Sequence, residues 1–166
     1  MILLTAFIPL LILKPTKLNQ HLLYKETIIE ISFEEAKTII KHLCRDLDVP
    51  YVLTELQPAS TSTAWGEYIF IPKRNSKIRF FGRIKTSTVL HELAHHVHQT
   101  RYDNECSVAK AHNITFHRIC FEIRDLFNML YSQDVSDING KAYDDSKGYF
   151  KALDEWFTKR QNGLLA

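Results

Sequence analysis

His91-Glu92-Leu93-Ala94-His95 is the stretch that decides the fold of this chain. The apolar residues around it recur at helical spacing: Val89, Leu90, Leu93, Ala94 and Val97. Gly82 closes the extended segment before it, and neither Pro nor Gly interrupts residues 83–99. Thr86, Ser87 and Thr88 are candidates for capping the start of a helix. We therefore expect the stretch to lie on an α-helix.

The spacing of the two histidines in this stretch is suited to a metal. On an α-helix, His91 and His95 lie on the same face one turn apart, so their imidazoles can bind one zinc ion together. Glu92 reaches that ion from the side where a zinc-bound water would sit. Zinc lowers the pKa of such a water, and a neighbouring carboxylate can take its proton. The motif therefore predicts a zinc site for amide hydrolysis, with Glu92 as general base.

A third ligand is expected because catalytic zinc normally has three protein ligands and one open position. His112 fits best, since it lies 17 residues after His95, which is enough for one helix to end and another to begin. It also precedes Phe116 by four residues, in line with the apolar face of the second helix. Glu105 ranks second and Glu122 third, and both stay open as acidic alternatives.

The other histidines near the motif are not expected to be ligands. His98 shares the face of His91 but lies about 10 Å from it along the helix axis. His96 points elsewhere, and His117 is rotated away from His112. We expect these histidines to be solvated or to lie beside the ligands.

The remaining pattern predicts an α+β domain. Ser32 and Glu35 form a capping box ahead of an amphipathic helix that ends near Asp46. A small mixed β-sheet is expected from strands over residues 51–57, 64–71 and 78–81. A second ligand-bearing helix then runs from near His112 to about Tyr131. A loop over 132–145, with a turn at 139–140, precedes a final helix over 146–160.

These motifs together resemble the SprT-like zinc metallopeptidases, which carry H-E-x-x-H followed by H-G-x-x-F or a close variant. The counterparts here are the stretch 91–95 and His112-Asn113-Ile114-Thr115-Phe116, and the resemblance covers roughly residues 30–131. It implies a zincin-like fold, with His91, His95 and His112 as zinc ligands and Glu92 as general base. Asn113 replaces the usual Gly, and Asn also accepts unusual backbone angles. The C-terminal zinc ribbon of many members is missing.

Two alternatives change the third ligand or the class of protein. H-E-x-x-H with an acidic ligand such as Glu105 resembles the ImmA-like peptidases that cleave repressors. The other alternative is a zinc-stabilised binding module without catalysis. Glu92 argues against that module, because a purely structural site has no use for this carboxylate and usually completes its coordination with Cys.

The expected partner is a protein or peptide substrate that lies extended along the strand at 64–71 as an added strand. Tyr102 and His117 are candidates for stabilising the oxyanion, and no organic cofactor is expected. A basic run before the motif offers a DNA or acidic-substrate surface: Lys73, Arg74, Lys77, Arg79, Arg83 and Lys85. The favoured interpretation of this run is a solvated loop and edge strand, because the net charge is only +2.

Length and composition indicate one domain, with 166 residues of which 45% are hydrophobic. We expect an apolar segment over 1–20, the main domain over 21–131, and a loop and helix over 132–166 packed on that domain. Cys44, Cys106 and Cys120 are widely spaced, which indicates a reducing compartment without disulfides and favours the cytoplasm. The apolar residues 1–13 fall short of the ~20 of a membrane span. A membrane-associated segment, a packed element and a misplaced start codon remain open for them.

Overall fold

One helix lies among five short strands in the first part of the described chain, and three helices follow them. The computed structural model describes residues 29–59, 65–71, 76–102, 111–135, 138 and 146–164. In chain order, the elements in these ranges are β1 (Glu30–Ile31), α1 (Phe33–Asp46), β2 (Leu53–Gln57), β3 (Gly66–Ile69), β4 (Lys77–Phe81), β5 (Ile84–Lys85), α2 (Thr86–Arg101), α3 (Ile114–Tyr131) and α4 (Ser146–Gln161). The predicted α+β class is confirmed.

Helix α1 begins and ends as the sequence predicts. The Ser32 side chain accepts from the Glu35 backbone N–H, and the Glu35 carboxylate accepts from the Ser32 N–H, which completes the capping box. The buried side of the helix carries its apolar residues: Ala36, Ile39, Ile40, Leu43 and Cys44. Asp48 takes a left-handed conformation with φ 53°, so the chain leaves the helix there.

Three of the strands form a mixed sheet in the order β2-β4-β3. β2 runs parallel to β4, and β3 runs antiparallel to it. The strands expected over 51–57, 64–71 and 78–81 are therefore present, with shorter or shifted bounds. Ile78 and Phe80 of β4 are fully buried on one face of the sheet. β4 is the central strand, so the interpretation of its basic residues as part of an edge strand is wrong.

Two further strands, β1 and β5, pair with each other in an antiparallel ribbon. They are two residues each, too short to leave a periodic pattern in the sequence. Thr86 joins this ribbon to helix α2, because its backbone N–H and its hydroxyl both donate to the Ile29 carbonyl. The N-cap of α2 is Lys85, which makes no side-chain cap. The expected Thr or Ser cap is thus replaced by a tertiary contact.

The hydrophobic core lies between the sheet and helices α1, α2 and α3. Its fully buried members include Ile40, Leu43, Val52, Ile78, Phe80, Leu90, Leu93, Val97, Phe116 and Ile123. Each buried side chain of this size stabilises the fold by roughly 1.5–3 kcal/mol. Because Leu90, Leu93 and Val97 belong to this core, α2 is fixed in rotation about its axis. His91 and His95 therefore stay on its partly exposed side.

Helix α3 begins at Ile114, two residues after the expected start near His112. Asn113 is its N-cap, with an extended φ of −73°, and its side chain accepts from the Phe116 backbone N–H. The explanation of Asn113 by unusual backbone angles is therefore wrong. Helix α4 packs on α3 through a second apolar cluster that contains Phe121, Ala152 and Leu153.

Some expectations fall outside the described residues. These include the apolar segment 1–20, the turn at 139–140 and Cys106. Among the described residues, Cys44 and Cys120 are buried. No helix in the same ranges is long and apolar enough to cross a membrane.

Candidate metal centre

Three histidines from two parts of the chain meet at one point. One ring nitrogen from each of His91, His95 and His112 lies within 4.8 Å of the others. The Nε2 atoms of His95 and His112 are 3.2 Å apart. All three side chains are partly buried. The three are close enough to hold one metal ion, and they are the set of this kind found among the described residues.

Phe116 forms an apolar support beneath this His triad. Its ring centroid lies 5.2 Å from that of His91, 4.4 Å from that of His95 and 4.9 Å from that of His112. The Phe116 side chain is fully buried. Its backbone is held by the Asn113 cap, at the same turn that brings His112 in front of α3. The spacing of four residues thus places His112 in the triad and Phe116 against the three rings.

A backbone carbonyl orients the first histidine of the triad. His91 Nδ1 lies 3.0 Å from the carbonyl oxygen of Ile138. A carbonyl can only accept, so Nδ1 carries the proton and Nε2 keeps its lone pair for a metal. Ile138 was missed in the sequence because a backbone acceptor leaves no signal in residue type.

Glu92 is almost entirely buried next to the triad. Only 7% of its surface is exposed, and this burial raises its pKa to about 8. The nearby charge of Glu67 raises the pKa further, whereas the Tyr68 backbone N–H donates to the carboxylate and lowers it. Glu92 is therefore a group that can take up and release a proton near neutral pH.

Close approach between β3 and α2 creates this burial. A Cβ added to Gly66 would lie 2.8 Å from Thr88 Cγ2 and 3.1 Å from Glu92 Cγ. Only a glycine lets the strand pass this near to the helix. Gly66 was also missed, although a glycine inside a strand pattern is a signal of close backbone approach.

Burial keeps His95 neutral as well. Desolvation lowers its pKa well below the ordinary value, and the charges of His91, His112 and His98 lower it further. A neutral imidazole has the free lone pair that a metal ion needs. His95 is therefore in the protonation state that metal binding needs.

His96, His98 and His117 are buried, which excludes the solvated alternative for them and leaves the alternative that they lie beside the ligands. His96 Nε2 donates to the Pro50 carbonyl at 2.7 Å, and its Nδ1 lies 3.5 Å from the Tyr68 hydroxyl. His98 and His117 are each 1% exposed. Their ring centroids lie 6.2 and 5.5 Å from that of Phe116. None of the three belongs to the metal-binding set.

The two oxyanion candidates differ in exposure. Tyr102 is the C-cap of α2, and 42% of its surface is exposed. His117 is buried against Tyr149 and Phe116, where a substrate arriving from solvent does not reach. Tyr102 thus stays a candidate, and His117 loses the physical basis for that role.

The acidic alternatives for the third ligand lie elsewhere or outside the described residues. Glu122 is on the exposed side of α3, and its carboxylate pairs with Arg101 Nη1 at 3.0 Å. Glu122 therefore does not lie in the core. Glu105 falls outside the described residues.

Most of the described part of the basic run is neutralised locally. Arg79 lies 2.6 Å from Glu67 and 3.4 Å from Glu55, which also pairs with Lys77. Arg83 pairs with Glu30 at 3.4 Å, and Lys85 lies over the Trp65 ring. Lys73 and Arg74 fall outside the described residues. These partners are strand neighbours that a linear reading of the charges does not reveal.

Comparison with protein-family models, with characterised proteins and with solved structures finds no match to this chain. The functional argument therefore depends on the geometry of the His triad and Glu92.

Proposed function

We propose that this protein is a zinc-dependent metallopeptidase of the SprT-like, zincin type. The observation that carries the proposal is the convergence of His91, His95 and His112 beside the buried carboxylate of Glu92. Three imidazoles with no fourth protein ligand among the described residues match the donor set of a catalytic zinc site. A tetrahedral zinc with ordinary Zn–N bonds separates its nitrogens by about 3.3 Å. The 3.2 Å between His95 and His112 fits that separation.

The division of labour follows from where each group lies. Zinc, when bound, supplies a Lewis acid that lowers the pKa of water and polarises a carbonyl. Glu92 takes the proton of the attacking water and passes it to the leaving amine. Ile138 holds His91 in the tautomer that leaves Nε2 free. Phe116 keeps the three rings in place and excludes water from beneath them.

Strand β3 supports the proposal that the substrate is an extended peptide. It lies at the edge of the three-stranded sheet, as that sheet appears in the described residues. Phe81 N–H donates to the Trp65 carbonyl at 3.0 Å, so residues 65, 67 and 69 bond towards β4. Gly66 and Tyr68 therefore direct their backbone groups to the other side, where the Tyr68 N–H meets Glu92. A peptide added along this edge runs directly past the proposed general base.

The ImmA-like alternative has Glu105 as its acidic ligand, and that residue lies outside the described ranges, so the alternative stays a prediction. The other acidic candidate, Glu122, is paired with Arg101 on the surface of α3. A non-catalytic binding module gives no reason to bury Glu92 next to the triad, where its burial is costly. Contact with DNA stays a prediction, with Lys77 and Arg79 already paired to acids.

The test is cleavage of labelled casein by the zinc-loaded protein, with Glu92→Gln as the variant. Because the general base contributes about 10²–10⁴-fold, we expect Glu92→Gln to lose at least about 100-fold in rate while it retains zinc. Glu67→Gln is the matched control, since it removes a partly exposed carboxylate from the neighbouring strand. Cleavage by Glu92→Gln at the wild-type rate would show that the peptidase proposal is wrong.

A further inference from the structure

One asparagine, Asn128, holds the turn at the end of α3. Asn128 lies in the last turn of that helix, and its backbone carbonyl accepts from the N–H groups of Ser132 and Gln133. Ser132 has a left-handed conformation with φ 50°, which turns the chain back towards α2. The direction of residues 133–135 is thus set at this turn.

The side chain of Asn128 then grips the returning backbone. Its Nδ2 donates to the Val135 carbonyl at 3.1 Å, and its Oδ1 accepts from the Val135 N–H at 2.9 Å. These two bonds match the pairing that a neighbouring β-strand would provide. Because a backbone N–H can only donate, the orientation of the Asn128 amide follows from the pair.

The carbonyl that orients His91 lies close to Val135 in the sequence. Val135 and Ile138 are 4% and 2% exposed, and both belong to the core that contains Phe116. Three residues beyond Val135, the Ile138 carbonyl accepts from His91 Nδ1. Asn128 thus holds Val135, and the Ile138 carbonyl, three positions further along the sequence, meets His91.

We propose that Asn128 is a positioning residue for the metal centre: its amide fixes the segment whose Ile138 carbonyl sets the tautomer and ring orientation of His91. This inference rests on the proposed function, since it needs the triad to hold a metal. Hydrogen-bond partners of metal-bound histidines change metal affinity about 10–100-fold when they are removed. Asn128 acts one step further out, so the lower end of that range applies.

The experiment measures zinc affinity by competition with a chromophoric chelator for the full chain and for Asn128→Ala. We expect the Kd for zinc to rise about tenfold in Asn128→Ala. Trp156→Phe is the control variant, because it removes one hydrogen bond, from the indole N–H to Asp125, between α4 and α3. Its zinc Kd should stay within twofold of wild type. A wild-type Kd in Asn128→Ala, or an equal loss in Trp156→Phe, overturns the inference.

A second measurement needs no variant that could fail to fold. In the zinc-loaded wild type, NMR should show a slowly exchanging Nδ1–H on His91 and a protected Val135 amide. Rapid exchange of either proton overturns the inference even if zinc binds. Absence of zinc binding in the wild type instead overturns the proposed function, so the two failures are distinguishable.

Discussion

Gly66 is the position where one added methyl group should disturb the site most. The glycine lies on β3 opposite α2, and a Cβ built there would be 2.8 Å from Thr88 Cγ2. The same atom would lie 3.1 Å from Glu92 Cγ and 3.4 Å from the Arg79 carbonyl oxygen. The Arg79 backbone belongs to the central strand and is held on both sides, so it cannot yield. Gly66→Ala therefore has to displace Thr88, Glu92 or strand β3.

Two opposing effects determine how much stability Gly66→Ala loses. Forcing an extra carbon into a packed interface costs about 1–3 kcal/mol. Replacing glycine with alanine stiffens the unfolded chain and returns about 0.4–1 kcal/mol. We expect Gly66→Ala to lose about 1–2 kcal/mol net, which lowers the Tm of a domain of this size by about 2–8 °C.

A double-mutant cycle with Thr88→Ser isolates the cause, because that change removes the Cγ2 atom that would clash most closely. Urea denaturation of the four proteins should show that Thr88→Ser recovers at least half of the stability lost in Gly66→Ala. Casein cleavage should fall in Gly66→Ala, whereas zinc content should hold, because His91, His95 and His112 do not touch the new methyl group. A Gly66→Ala protein as stable as wild type, with no coupling to Thr88→Ser, would refute this reasoning.

Three further predictions follow from the same structure. Burial raises the pKa of Glu92 to about 8 from the ordinary 4.5, so the folded metal-free protein holds this proton more tightly than the unfolded chain does. That contribution to stability is complete below pH 4.5 and is lost as the pH rises through about 8. Urea titrations at pH 6 and 9 should therefore show that Glu92→Gln gains stability relative to wild type at the higher pH. A stability difference that is the same at both pH values would contradict the burial. Arg101→Ala should lose about 1–2 kcal/mol of unfolding free energy in the same assay, because Arg101 Nη2 donates to the Leu47 carbonyl at 2.8 Å and Nη1 contacts Glu122. Glu122→Gln should lose less than about 1 kcal/mol, since its pair with Arg101 is partly exposed. Chelation should lower the Tm, and free zinc at 100 times its Kd should restore about 2.7 kcal/mol of stability.

Local patterns predicted the parts of the fold that depend on neighbours in sequence. The capping box at Ser32 and Glu35 and the apolar spacing of α1, α3 and α4 are determined within one or two helical turns. The pairing of His91 with His95 follows from helix geometry alone. His112 could be predicted because the chain between the two helices has the right length to bring it back.

Other parts depend on contacts between residues far apart in the chain. β1 and β5 are strands only because they pair with each other, and Thr86 starts α2 against Ile29 rather than with a cap. The burial of His96, His98 and His117 could not be predicted, since a histidine's partners lie on other elements. The same holds for two features beside the candidate metal centre: the close approach that Gly66 allows to Glu92, and the Ile138 carbonyl that contacts His91.

The measurement that tests the central claim most directly is zinc content per chain by elemental analysis, on wild type, His112→Ala and Glu122→Ala after reconstitution. The account predicts about one zinc in wild type and in Glu122→Ala, and a large loss in His112→Ala, because three of the four tetrahedral positions belong to the His triad. Full zinc in His112→Ala would move the third ligand to another residue. No zinc in the wild type would contradict the account.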